Sequence, residues 1–352
     1  MNRPLSARWI PFLFLAGWMM AVAGCATRPT SEDSLRLLPS GAPPAAYMKV
    51  SRAGTNVVTL QIAVRQFVPG RGPGPQVWLV GASHVGDSNY FASLQRSLDA
   101  MDLVLFEGVG ARTRPYRFES EEEGSVQLTM ARSLGLKFQL QAIDYDRPHF
   151  RNSDLTLAQL SRLVQGGREG AAGDDASGEE ARAGRSRAGG GASGRQEFEQ
   201  LLQVMDGSSF LGAIVQMGFK FIGANPKLRE LTKLMLIETL GALTGDLSQM
   251  RGLPPGVQRL FEVIIQERDK VVLTDLKAAL SGPRPPRVIA VFYGAAHMAD
   301  LEKRLRSELH YVPQGERWLS AMSVDTERSG LAPAEVEMMR ALVKWQLQAL
   351  EP

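Results

Sequence analysis

Two of the four histidines in this 352-residue chain close the same kind of phrase. QVWLVGASH (76–84) and RVIAVFYGAAH (287–297) each run an apolar stretch into a glycine, Gly81 or Gly294, with His84 or His297 three residues later. Between the phrases, Glu107 follows the apolar run LVLF (103–106). An acid at the end of a buried strand needs a partner, which is natural in a site and awkward in a core. Asp144 and Asp146 follow another apolar run, Phe138 to Ile143, and read equally as turn-capping residues. Neutral imidazoles with a carboxylate suit either a divalent transition metal or acid/base work on water.

The elements must bring these residues together. Apolar runs at 77–80, 103–106, 138–143 and 288–292 read as strands, and helices are predicted at 88–101, near 125–134 and at about 296–309. The alternation predicts an α/β fold: a mostly parallel central sheet flanked by helices, with an N-terminal β-hairpin over 47–67. Residues 197–280 read as a helical insertion before the last core strand, broken at Asn225-Pro226 and at 252–255. In an open parallel sheet the carboxyl ends of the strands share one edge, where ligand sites form. Each glycine permits a tight turn off its strand and close backbone approach, so each phrase lifts a histidine over that edge. His149 and His310 lack this context and read as surface or packing residues.

In this order, the paired GASH and GAAH, the LVLFEG acid, the step Asp146-Arg147-Pro148 and Glu267-Arg268-Asp269 resemble the TraB/GumN/TIKI family over about residues 76–320. The resemblance implies an α/β domain whose two GxxH motifs and glutamate build a metal site, with divalent-metal-dependent proteolysis in one branch. It makes His84, His297 and Glu107 the principal residues and adds Glu267 and Arg268 in support. The family commonly has Asn after the Glu-Arg pair, where this chain has Asp269.

In chemical terms, His84 and His297 are expected as ligands of Mn, Co, Zn or Fe, and Glu107 as ligand or general base. Such an ion lowers the pKa of bound water to about 7 and polarises a carbonyl, which suits peptide or ester hydrolysis. Glu267 is a candidate second acid/base, and Arg268 a group to steady an oxyanion or hold a carboxylate. No HExxH helix is present. Two alternatives stand beside this reading. A haem or iron binder without catalysis would need an apolar pocket, for which Met217, Phe219, Phe221, Met235 and Leu236 are available. A metal-free hydrolase would use a histidine to activate water and Glu107 to orient it.

Residues 1–24 read as a signal peptide: two arginines, a mostly apolar run over 9–23, and small residues before Cys25, the only cysteine. That ending resembles a lipobox, so lipidated Cys25 is the expected membrane anchor. Ala26 after it favours the outer membrane, facing the periplasm. Residues 25–45, rich in Pro, Ser and Ala, read as a tether to a single domain spanning 46–352. Loss of Arg3 and Arg8 with the signal takes the net charge from +3 to +1, which gives no footprint for nucleic acid. Residues 166–196 contain ten glycines and no apolar side chain larger than alanine, the composition of a disordered insertion. A final amphipathic helix is expected at 332–350, docked on the protein's own sheet.

Overall fold

Apolar side chains on both faces of a strand require cover on both sides of the sheet. The computed structural model describes residues 34–54, 56–108, 116, 126–164, 210–242 and 263–348. The signal peptide, Cys25, the 166–196 insertion and the break at 252–255 lie outside the described residues, as do parts of the tether and of the 197–280 insertion.

The described strands are β1 (Arg36–Leu37), β2 (Met48–Ala53), β3 (Val57–Pro69), β4 (Gln76–Ala82), β5 (Val85–Gly86), β6 (Leu103–Phe106), β7 (Lys137–Phe138), β8 (Phe150–Asn152), β9 (Val288–Gly294) and β10 (Tyr311–Asp325). One sheet runs β1-β10-β3-β4-β9-β6-β8, with β2 also paired to β3. Its core, β4-β9-β6-β8, is parallel throughout, while β1, β2, β3 and β10 join by antiparallel pairing. The α/β expectation holds, including the β2–β3 hairpin, whose last pair is Ala53 with Val57. Arg36 and Leu37, within the stretch read as tether, pair with Glu316 and Gly315 of β10.

Strand periodicity sorts the side chains into two layers. Val80, Ala82, Val104, Phe106, Ala290 and Phe292 face one way. They meet helix α1 (Ser88–Asp99) through Phe91, Leu94 and Leu98, and also α2 (Val126–Ser133). Val77, Leu79, Leu105, Ile289, Val291 and Tyr293 face the other way. There they meet Val272, Leu273 and Leu276, and beyond them Met298, Leu301 and Leu305.

One expectation needs correction, and one strand was not expected. The run Phe138–Ile143 is not a core strand: Lys137–Phe138 pairs only with β5, and Gln139–Ala142 turns into the short helix α3. The fourth parallel strand is instead β8, three residues long, in which only Phe150 is buried. Strand β10 also escaped the sequence reading. Its fifteen residues include Pro313 and Gly315, and register shifts at 313/315 and 320/322 break the alternation that identifies a strand.

Among the described residues, α3 is followed by the helices α4 (Leu157–Val164), α5 (Phe210–Ala224) and α6 (Pro226–Ala242). A π-turn (Val263–Glu267) then leads into α7 (Arg268–Leu280). After β9 come a 3₁₀ turn (Ala295–His297), α8 (Met298–Glu308) and, past β10, α9 (Pro333–Gln348). Helix α9 buries Val336, Met339 and Val343 in the protein's own core and reaches α6 through Lys227–Glu335 and Arg340–Glu238 pairs.

Candidate functional site

The strand order settles why the two histidine phrases look alike. Strand β9 inserts between β4 and β6, parallel to both, and Ala82 pairs with Gly294. Both GxxH phrases therefore leave the sheet side by side at its carboxyl edge. Glu107 leaves from the next strand, its backbone N–H donating to the Phe292 carbonyl at 3.0 Å.

Gly294 is the meeting point. Its φ of −51° is open to any residue, so what matters is space. A Cβ there would stand 3.3 Å from Glu107 Oε2, 3.7 Å from His84 Nε2 and 3.8 Å from His297 Cδ2. Its N–H donates to Glu107 Oε2 at 2.6 Å. Gly81 has a related but separate role: a Cβ would press on the Ala63 carbonyl and Ile62, both at 3.1 Å.

Arg268, at the start of α7, lies beneath the rim and is buried. It donates to Glu107 Oε1 at 2.7 Å and grips Asp154 with two bonds, Nε to Oδ1 at 2.9 Å and a terminal nitrogen to Oδ2 at 2.6 Å. Asp154 Oδ2 also accepts from the Gly108 N–H at 3.0 Å, next door to Glu107. Burial alone raises the Glu107 carboxyl pKa. The charge of Arg268, then those of His297 and His84, outweigh burial and hold it well below the usual carboxylate range. Glu107 is thus a fixed anion, and Arg268 takes the carboxylate-holding role of the two considered for it.

His297 is buried, with Nδ1 2.7 Å from Asp269 Oδ1 and Nε2 3.7 Å from Glu107 Oε1. Burial lowers the imidazole pKa, but the carboxylates of Glu107 and Asp269 more than reverse this. A proton on Nδ1 bonded to Asp269 leaves Nε2 to face the rim, the arrangement that orients a metal-ligating or base histidine. Asp269 itself is pushed up to about 7, chiefly by burial, with Asp300 adding to the rise. His84, on the opposite side, is exposed.

The remaining sequence candidates lie elsewhere. Glu267 ends the π-turn with its carboxylate 2.6 Å from Lys270 Nζ, part exposed. Asp144 accepts from the Asp146 N–H and pairs with Arg147, which also reaches Asp99 on α1. Asp146 accepts from the Tyr116 N–H. These contacts are those of a turn pinned to α1. Met217 and Phe221 are each 70% exposed rather than lining a cofactor pocket.

Asp154 is the site residue that the sequence reading missed. It follows β8, so the fourth strand end does deliver a carboxylate to the rim, but from residue 154 rather than 144 or 146. The signal available was the polar run Arg151-Asn152-Ser153-Asp154 directly after Phe150.

The donor types at the rim, two imidazoles and a carboxylate, are ones that divalent transition ions take. Each oxygen of Glu107 carries one recorded hydrogen bond and retains acceptor capacity. His297 is oriented from behind. Among the described residues, no three His, Cys, Asp or Glu side chains already stand in a ligating arrangement. No family model, curated protein or solved structure matches this chain.

Proposed function

We propose that the chain is a membrane-anchored, divalent-metal-dependent hydrolase acting on peptide or related acyl bonds. The observation that carries this reading is the convergence of His84, Glu107 and His297 on Gly294, with Asp269 orienting His297 from behind. The two imidazoles and Glu107 would hold the ion, and exposed His84 is the member free to close on it. When bound, such an ion polarises a carbonyl and makes water acidic enough to supply hydroxide near neutrality. Glu107, kept ionised by Arg268, accepts a hydrogen bond from water and fixes its direction. Asp154 holds Arg268 in place, and the buried floor below limits water to the rim. Glu267, paired with Lys270, is given no contact with reacting atoms. The anchor in this proposal is lipidated Cys25, and the location is the outer membrane facing the periplasm. No helix among the described residues is long and apolar enough to cross a membrane.

The test is hydrolysis of peptide and ester panels by the full chain with Mn, Co or Zn added, before and after chelation. Activity should vanish with chelator, return with one of these ions, and fall at least 100-fold in His84→Ala and in His297→Ala. Full activity in either folded variant refutes the assignment. The Asp269–His297 pair also favours a second reading, in which His297 activates water without a metal. Chelator-resistant activity that still requires His297 would select it.

A further inference from the structure

The Gly/Pro segment at residues 70–75, Gly-Arg-Gly-Pro-Gly-Pro, takes no part in the site above. It joins β3 to β4 at the opposite, amino edge of the parallel strands, where β3 ends and β10 begins. The loop is strapped at both ends. The Gly70 N–H donates to the His310 carbonyl at 2.9 Å, and the Tyr311 hydroxyl donates to the Pro75 carbonyl at 3.0 Å. A Cβ on Gly70 would stand 2.6 Å from the His310 oxygen, so only glycine permits this approach. His310 has φ +56°, the single non-glycine among the described residues in the left-handed region. Held strain of this kind persists where the surroundings impose it, and it collects at binding sites.

The strapped loop borders a cavity of about 410 Å³ lined by Gly70, Arg71, Arg306, His310, Tyr311 and Val312. Among the described residues its lining holds two arginines and a histidine and no acid. Arg71 is exposed and makes no ion pair with a described carboxylate. Arg306 has one terminal nitrogen 3.1 Å from Glu302, which leaves its other donors available. Guanidinium groups present planar forks of N–H donors that match phosphate oxygens. The volume falls in the range of small-molecule sites.

We infer that this cavity is a second site, separate from the histidine rim, that binds a phosphate-bearing anion between Arg71 and Arg306 beside His310. The same chemistry is offered by a free phosphate compound and by a lipid headgroup. Isothermal titration of the full chain with inorganic phosphate reads the first source. Titration with short-chain phosphatidylglycerol below its micelle concentration reads the second. Arg71→Gln is the clean variant because Arg71 is exposed and has no ion-pair partner among the described residues. Arg306→Lys keeps a cation beside Glu302 and removes the fork. Saturable binding of either ligand, weakened at least ten-fold in both variants with melting unchanged, is the expected result. A response to phosphate alone assigns the free anion, and one to the lipid alone assigns the headgroup. Absence of saturable binding of both ligands at millimolar concentration, or binding unchanged in Arg71→Gln, overturns the site.

Discussion

At the scale of single residues, the account turns on how Glu107 and His297 are held. Gly294 leaves room for the Glu107 carboxylate and donates its N–H to it. Gly294→Ala places a methyl 3.3 Å from Oε2, so Glu107 must give by a few tenths of an ångström. The expected result is metal affinity about ten-fold weaker, with stability down by only about 1 kcal/mol, the ordinary cost of a point change. Titration calorimetry beside thermal melting separates the two effects; equal affinity would show that this contact is not functional. Asp269 acts on His297, the other proposed ligand. Removing a carboxylate that orients a ligating histidine costs roughly 10–100-fold in metal affinity. Asp269→Ala should reach the upper end of that range and Asp269→Asn the lower, since the amide still accepts from Nδ1 but carries no charge. Affinity unchanged in Asp269→Ala would remove its positioning role.

At the scale of elements, the site is made by strand order, and its legibility in the sequence follows from strand length and regularity. Strands β4, β6 and β9 are built on apolar runs that lead into Gly81, Glu107 and Gly294, and those runs alone marked the strands and, taken as parallel, their shared edge. What periodicity does not carry is which strand lies between which. That β9 inserts between β4 and β6 depends on packing of the whole chain, and it is what puts His84 beside His297. Strand β8 has three residues and one buried side chain, too few for a pattern, so Asp154 was hidden and the longer run Phe138–Ile143 drew attention instead. Where that run bends, the Gln139 N–H donates to the His84 carbonyl, a contact between residues far apart in sequence. Asp154 links β8, α7 and the segment leaving β6 through Arg268 and Gly108. Asp154→Ala leaves a buried guanidinium with Glu107 as its remaining carboxylate partner. The expected loss is about 3–5 kcal/mol, the range for breaking a buried pair. Denaturant unfolding measures it; a loss under about 1 kcal/mol would mean that Glu107 alone suffices to hold Arg268.

At the scale of the whole molecule, the antiparallel strands and the segment entering from the tether are joined by a second buried ionic group, on the face opposite α1. Arg65 on β3 is 2% exposed and bonds Glu302 at 2.9 Å, Glu316 at 3.2 Å and the carbonyls of Ala45 and Ala46, with its guanidinium 4.1 Å from the Tyr47 ring. It ties the entry segment, β10 and α8 to one strand. Arg65→Met leaves two acids buried without this cation and should cost about 3–5 kcal/mol while leaving the rim's own contacts in place. Melting should fall sharply, and residual metal affinity at low temperature should stay within about two-fold of the parent; a matching collapse in affinity would show that the halves of the sheet are not independent. The central claim is that the two phrases and Glu107 together form a metal centre. It is tested most directly by the metal content of the full chain, purified without affinity-tag metals and reconstituted with Mn, Co or Zn, beside the His84→Ala/His297→Ala double variant. The account predicts close to one equivalent of one ion in the parent and none in a folded double variant. Equal, trivial content in both after reconstitution would contradict it.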